Sequence, residues 1–204
     1  MQTITQVIPG YRMSEYLLVL QPHEELRQRI MQVKKDFQDT YKVFAWAHHK
    51  PHIVLATFTQ YDMMEERILN RLKVTAMGYQ PFKVELKNYG SYPSHTLFIN
   101  VATKVPIQLL IKEIRTAQRL MKIDNEYKPH FIDEPNIAIA RKLLPWQYEA
   151  AWKDYSHRHF TGRFIADSML LLKRRVGDKA FQVVQRLEFM NLPVTTRQGE
   201  LFML

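Results

Sequence analysis

The sequence contains no cysteine, which excludes a disulfide framework, a thiolate metal site and a thiol nucleophile. Long hydrophobic runs are missing too. The apolar stretches, such as residues 169–172, fall far short of the roughly 20 residues that span a bilayer. No basic, then apolar, then small-residue pattern opens the chain, so no signal peptide, no membrane partner and a cytoplasmic location are expected. What is present is ordinary globular material: 204 residues, 46% hydrophobic and 24% charged, enough for one compact domain or two small lobes sharing a core. Lys plus Arg number 29 against 20 Asp plus Glu, a net +9. That surplus favours RNA, nucleotides or phosphorylated small molecules as partners.

Apolar periodicity predicts the elements. Residues 16–20 read as a buried strand, and Pro22 starts a helix with Leu26, Ile30, Val33 and Phe37 on one stripe. Arg27, Lys34, Lys35 and Asp36 then fall on its solvent side. Strands follow at 43–47 and 52–58, around the polar turn His48-His49-Lys50-Pro51. Asp62 is expected to cap the next helix, built on Met64, Ile68, Leu69 and Leu72. A strand at 82–86 leads into a turn-rich stretch, 88–94. Then come a strand at 96–101, a helix opened by Pro106, a strand at 136–140 and a helix at 145–156. Two strands, 164–174 and 181–189, flank the turn Val176-Gly177-Asp178.

The chain begins again halfway along. Tyr16-Leu17-Leu18-Val19 corresponds to Thr96-Leu97-Phe98-Ile99, an offset of 96 − 16 = 80. Pro51-His52-Ile53-Val54-Leu55 corresponds to Pro135-Asn136-Ile137-Ala138-Ile139, an offset of 136 − 52 = 84. An internal repeat of this length predicts an α+β fold of two pseudo-symmetric lobes, each an antiparallel sheet with helices, around a central cleft. Lobe one covers about 13–90 and lobe two about 91–192, with room for strands to exchange, and 193–204 form a tail ending in an apolar tetrapeptide.

The segments Pro51-His52-Ile53-Val54-Leu55-Ala56 and Pro135-Asn136-Ile137-Ala138-Ile139-Ala140-Arg141 resemble the paired motifs of the two-histidine (2H) phosphoesterases. That superfamily includes the 2′-5′ RNA ligase-like proteins and cyclic nucleotide phosphodiesterases. Its motif is His, any residue, Thr or Ser, then an apolar residue, once per lobe. The strand at 82–86 with Tyr89-Gly90 and the closing hairpin are similar to the family's as well. The resemblance implies two imidazoles facing across a cleft, one removing a proton from the attacking oxygen while the other protonates the leaving oxygen. The two hydroxyls would hydrogen-bond the phosphate oxygens as their charge grows.

Three of those four positions depart from the motif. His52 is present as the candidate acid/base, but Val54 stands where a hydroxyl is expected, Asn136 replaces the second histidine and Ala138 the second hydroxyl. Asparagine exchanges no proton near neutral pH. The resemblance therefore implies a 2′-5′ RNA ligase-like protein binding a nucleotide, RNA end or phosphorylated ligand in the cleft. Its phosphodiesterase activity would be weak, altered or lost. His52, Asn136, His130 and Arg141 are the candidate ligand contacts. Strand alternation sends Arg141 to the face opposite Asn136, where an ion pair competes with a ligand role. Two alternatives stay open: a non-catalytic scaffold on the same fold, and a lone-histidine acid/base acting on a non-phosphate substrate such as a sugar.

His48, His49 and His52 spell a histidine cluster, but Pro51 prevents the helix that would align them, so no metal and no cofactor is expected. The basic and aromatic run Tyr155 to Phe160, with His157-Arg158-His159, reads as the polar end of a helix that could touch nucleic acid. Trp46, Trp146 and Trp152 are expected in the core, and Lys173-Arg174-Arg175 on a solvated face.

Overall fold

A computed structural model describes residues 10–43 and 50–193. Its elements run β1 (Met13–Leu20), α1 (Glu24–Tyr41), β2 (Ile53–Tyr61), α2 (Glu65–Gly78), β3 (Phe82–Tyr92), β4 (Thr96–Val101), α3 (Val105–Ile114), α4 (Gln118–Met121), β5 (His130–Phe131), β6 (Asn136–Arg141), α5 (Pro145–Tyr155), β7 (Thr161–Ala166), β8 (Ser168–Arg175) and β9 (Gln182–Glu188). Two antiparallel sheets result, ordered β5-β2-β1-β8-β9 and β6-β4-β3-β7. The late strands β8 and β9 complete the sheet begun by β1, while the early strand β3 pairs with β4 and β7. This is the α+β architecture that the repeat predicts. No helix among the described residues is long and apolar enough to cross a membrane.

One hydrophobic core joins both sheets to their helices. Leu18, Leu55, Ile99 and Ile137 meet Ile30, Leu110 and Ile114 in it. Each such side chain contributes about 1.5–3 kcal/mol by burial, and truncating Leu55 or Ile137 to Ala would cost about 2–5 kcal/mol.

Several expectations are corrected. The strand expected over 164–174 is two strands in different sheets, broken at Asp167, whose carboxylate accepts from Ser168 Oγ and Arg186 Nη2, both at 2.9 Å. Residues on both sides of the crossing are strand-forming and rich in apolar side chains, so the sequence reads as one strand. The turn expected at 88–94 is mostly strand, because β3 continues to Tyr92 past an irregularity that Asn88 absorbs at φ 58°. Asp62 caps no helix. Its carboxylate accepts from Ser14 Oγ at 2.7 Å and pairs with Lys173 Nζ at 2.9 Å. Lys173 also bridges to Glu65 at 2.8 Å, and Arg174 pairs with Glu15, so these two cations are tied down rather than merely solvated. Trp146 is 62% exposed and Trp152 is half-buried. Trp46, His48, His49, most of the strand expected at 43–47 and the tail beyond 193 lie outside the described residues.

The largest departure is in α1. Its buried stripe is Leu26, Ile30, Lys34, Phe37 and Tyr41. Lys34, expected in solvent, is 3% exposed. Spacings of four, four and three residues place it squarely between Ile30 and Phe37 on the core side.

Candidate functional site

The two motif strands are built alike down to an irregularity in their pairing. Along β1 and β2, Leu18 pairs with Ala56 but Val19 with Val54, so Leu55 is an extra residue. Along β4 and β6, Leu97 pairs with Ala140 but Phe98 with Ala138, so Ile139 is the extra residue. The two bulges are 139 − 55 = 84 residues apart, the offset of the motifs. Both segments also bury the same positions, with Pro51, Ile53, Leu55 and Ala56 matching Pro135, Ile137, Ile139 and Ala140. The first strands, however, match with an offset of 97 − 18 = 79. The sequence alignment at 80 is one residue out.

A bulge inverts which side chains face which way beyond it. Ahead of it, His52 and Val54 in one lobe and Asn136 and Ala138 in the other point away from the core, half-buried. Beyond it, Thr57 and Arg141 return to those same faces, since their neighbours Ala56 and Ala140 are core residues. Arg141 therefore shares a face with Asn136, contrary to the simple alternation expectation. The strands β2 and β6 come within 8 Å of each other, Cα to Cα, which sets the two motif strands side by side.

Around Asn136 the site is polar and close-packed. Its Nδ2 donates to Tyr92 Oη and to the Glu134 carbonyl, both at 3.2 Å. Asn100 lies opposite it in the ladder and donates to the Tyr89 carbonyl at 3.0 Å. Gly90 makes this packing feasible: a Cβ there would sit 2.5 Å from Asn100 Oδ1 and 2.6 Å from the Phe98 ring. Tyr92, Thr96 and Arg141 form one row across β3, β4 and β6. Desolvation holds the Arg141 guanidinium below its ordinary pKa, and the nearby Tyr92 opposes that. Burial, and then the charge of Arg141, push the Lys34 ammonium down to about 8.

The floor beside these groups is apolar. Val19, Phe98 and Leu170 are buried yet stand outside the main core, on the faces that carry the motifs. Val19 pairs with Val54 on one side and Leu170 on the other. His130 belongs to β5, a strand that periodicity does not reveal, and pairs with Thr57. It is exposed and stands roughly 13 Å along the sheet from His52 by strand rise. The basic and aromatic run docks the end of α5 on β3: Arg158 stacks 4.6 Å over Tyr155, and His159 Nδ1 lies 3.4 Å from Asn88 Oδ1.

Sequence reasoning brings out His52, Asn136 and Arg141. It misses Tyr92, Asn100, Thr57 and Lys34. Only Lys34 carries a readable signal, its helical phase with Ile30 and Phe37.

No curated protein matches the chain. The model of the 2′-5′ RNA ligase superfamily matches residues 20–178. Solved structures agree on the fold. Escherichia coli LigT complexed with 3′-AMP is similar at 13% identity and a TM-score of 0.63, covering 87% of this chain and 98% of its own. TT0787 of Thermus thermophilus is 14% identical with a TM-score of 0.59, covering 86% and 98%. Usb1 of Kluyveromyces marxianus is 13% identical with a TM-score of 0.51, covering 86% and 97%. With its repeated lobes, matched bulges and facing motif strands, this chain belongs to the 2′-5′ RNA ligase superfamily of two-histidine phosphoesterases, as a member with one motif histidine in place.

Proposed function

We propose that the protein binds a nucleotide, or the phosphate-bearing end of an RNA, in the cleft between β2 and β6, and that phosphodiester cleavage there is lost or strongly weakened. The observation that carries this reading is Asn136. It occupies the position equivalent to His52, and its amide is engaged with Tyr92 and the Glu134 carbonyl. An amide hydrogen-bonds an oxygen but delivers no proton. His52 can serve one proton transfer, while the other falls to water, at a cost of ~10²–10⁴-fold in rate. Val54 and Ala138 remove two further donors to the phosphate oxygens.

Binding is supported from the other side. Asn136 and Arg141 share the cleft face, and the apolar floor of Val19, Phe98 and Leu170 suits a base or ribose. The related LigT has been seen with 3′-AMP, NADP+, ATP and phosphate. The same apolar floor favours a second reading, a scaffold that grips a non-phosphorylated partner there.

Calorimetry and turnover assays with 2′,3′-cyclic nucleotides and 2′-5′-linked oligonucleotides separate the two. Saturable binding that weakens in His52→Ala, with slow or no turnover, is expected. Absence of any nucleotide binding would favour the scaffold. Rapid turnover indifferent to His52→Ala would remove the proposal altogether.

A further inference from the structure

The hydrogen bonds around Asn136 have a fixed direction. The Glu134 carbonyl only accepts, so the atom facing it at 3.2 Å is Nδ2, and the amide has one orientation. The other Nδ2 hydrogen goes to Tyr92 Oη, also at 3.2 Å. Both N–H bonds of Asn136 are thereby taken up by the protein, and neither is left for a phosphate oxygen. The phenol oxygen, having accepted one bond, still has its own hydrogen to give. Among the described residues no carbonyl or carboxylate takes it. Tyr92 is half-buried on the cleft face, so a ligand beside Asn136 can reach that hydrogen.

The repeat shows that packing does not ask for a phenol at this place. With the first strands matched at an offset of 79, Thr96 answers to Leu17. On the side away from the motif strand, Thr96 pairs with Tyr92 of β3, and Leu17 with Leu172 of β8. Leu172 is half-buried, as Tyr92 is, so an aliphatic side chain fills the equivalent place in the first lobe. The phenol stands in the lobe whose motif histidine is an asparagine, and it is bonded to that asparagine. Its ring packs on Phe98, with centroids 4.8 Å apart, and Phe98 has room because Gly90 carries no Cβ. A hydroxyl held by one accepted bond and a packed ring is oriented in advance, as a donor to a phosphate oxygen has to be.

We infer that Tyr92 is the donor that holds a phosphate oxygen on the lobe-two side of the cleft, with Asn136 as the positioning residue that orients its hydroxyl. The phenol takes over from the motif hydroxyl absent at Ala138. The asparagine orients a donor where a histidine would transfer a proton. The inference rests on the phosphate-binding reading above and names the residue that meets the anion.

Calorimetric titration of inorganic phosphate into wild-type protein, Tyr92→Phe, Asn136→Ala, the double variant and His52→Ala provides the test. Tyr92→Phe keeps the ring on Phe98 and removes the hydroxyl alone. It should weaken phosphate binding about tenfold or more, the range for a hydrogen bond to a charged group. Asn136→Ala should weaken binding less, and should add almost nothing once Tyr92→Phe is present, because it acts through the phenol. Urea midpoints taken without anion check that each variant folds. Phosphate bound by Tyr92→Phe as tightly as by wild type would overturn the donor role, and losses that add in the double variant would overturn the positioning role. If His52→Ala still lost affinity, the cleft reading would survive either result. A wild-type protein that takes up no phosphate would overturn both.

Discussion

The two lobes share a backbone and differ in what it carries. The strand–helix–strand unit of β1, α1 and β2 and that of β4, α3 and β6 have the same bulge and the same buried positions. Where packing decides, the residues agree: Leu55 with Ile139, Ile53 with Ile137, Ala56 with Ala140. Where chemistry decides, they do not. His52 answers to Asn136, Val54 to Ala138, Thr57 to Arg141 and Ile114 to Lys34. Under the proposed reading, the first lobe keeps the candidate acid/base His52 while Asn136 in the second transfers no proton, a division suited to holding a phosphate more than to breaking its ester.

That contrast can be broken most forcefully by undoing it. Asn136→His combined with Val54→Thr and Ala138→Thr is expected to raise turnover of 2′,3′-cyclic nucleotides by ~10²-fold or more over wild type. A steady-state assay checks it, and no gain would mean that the cleft is closed to the substrate for another reason. Next in size is the exchange between the helices. Ile114→Lys places an ammonium at a fully buried apolar position and should cost about 3–5 kcal/mol in urea unfolding.

Lys34 predicts a pH dependence. Its pKa in the folded protein, about 8, lies below the ordinary lysine value, so the unfolded chain binds more protons in between. Stability should therefore rise from about pH 8 towards 10.5, by on the order of 2–3 kcal/mol. Wild type minus Lys34→Met, measured across that range, isolates this contribution. The smallest effect is expected at Gly90→Ala, about 1–3 kcal/mol, because the new methyl meets Asn100 and Phe98. It should also weaken nucleotide binding, since Asn100 sits opposite Asn136.

Much of this is legible in the sequence, for identifiable reasons. The repeat and the motif spacing are long-range signals written in apolar residues, and they point directly to the lobes, His52 and Asn136. What stays hidden depends on single-residue irregularities. The bulges at Leu55 and Ile139 leave no mark in an apolar run, yet the one at Ile139 decides that Arg141 shares a face with Asn136. β5 is two residues long and shows no period. The crossing at Asp167 splits one stretch between two sheets, and both flanks read as strand. Lys34 is misplaced when residue type is weighed above helical phase, where i+4 from Ile30 already points inward.

The most direct measurement is NMR mapping of adenosine 3′-monophosphate binding to the wild-type protein. Perturbations should concentrate at His52, Val54, Asn136, Ala138 and Arg141, on the facing strands β2 and β6. A nucleotide that perturbed none of them, or only residues elsewhere on the surface, would contradict the assignment of the cleft as the binding site.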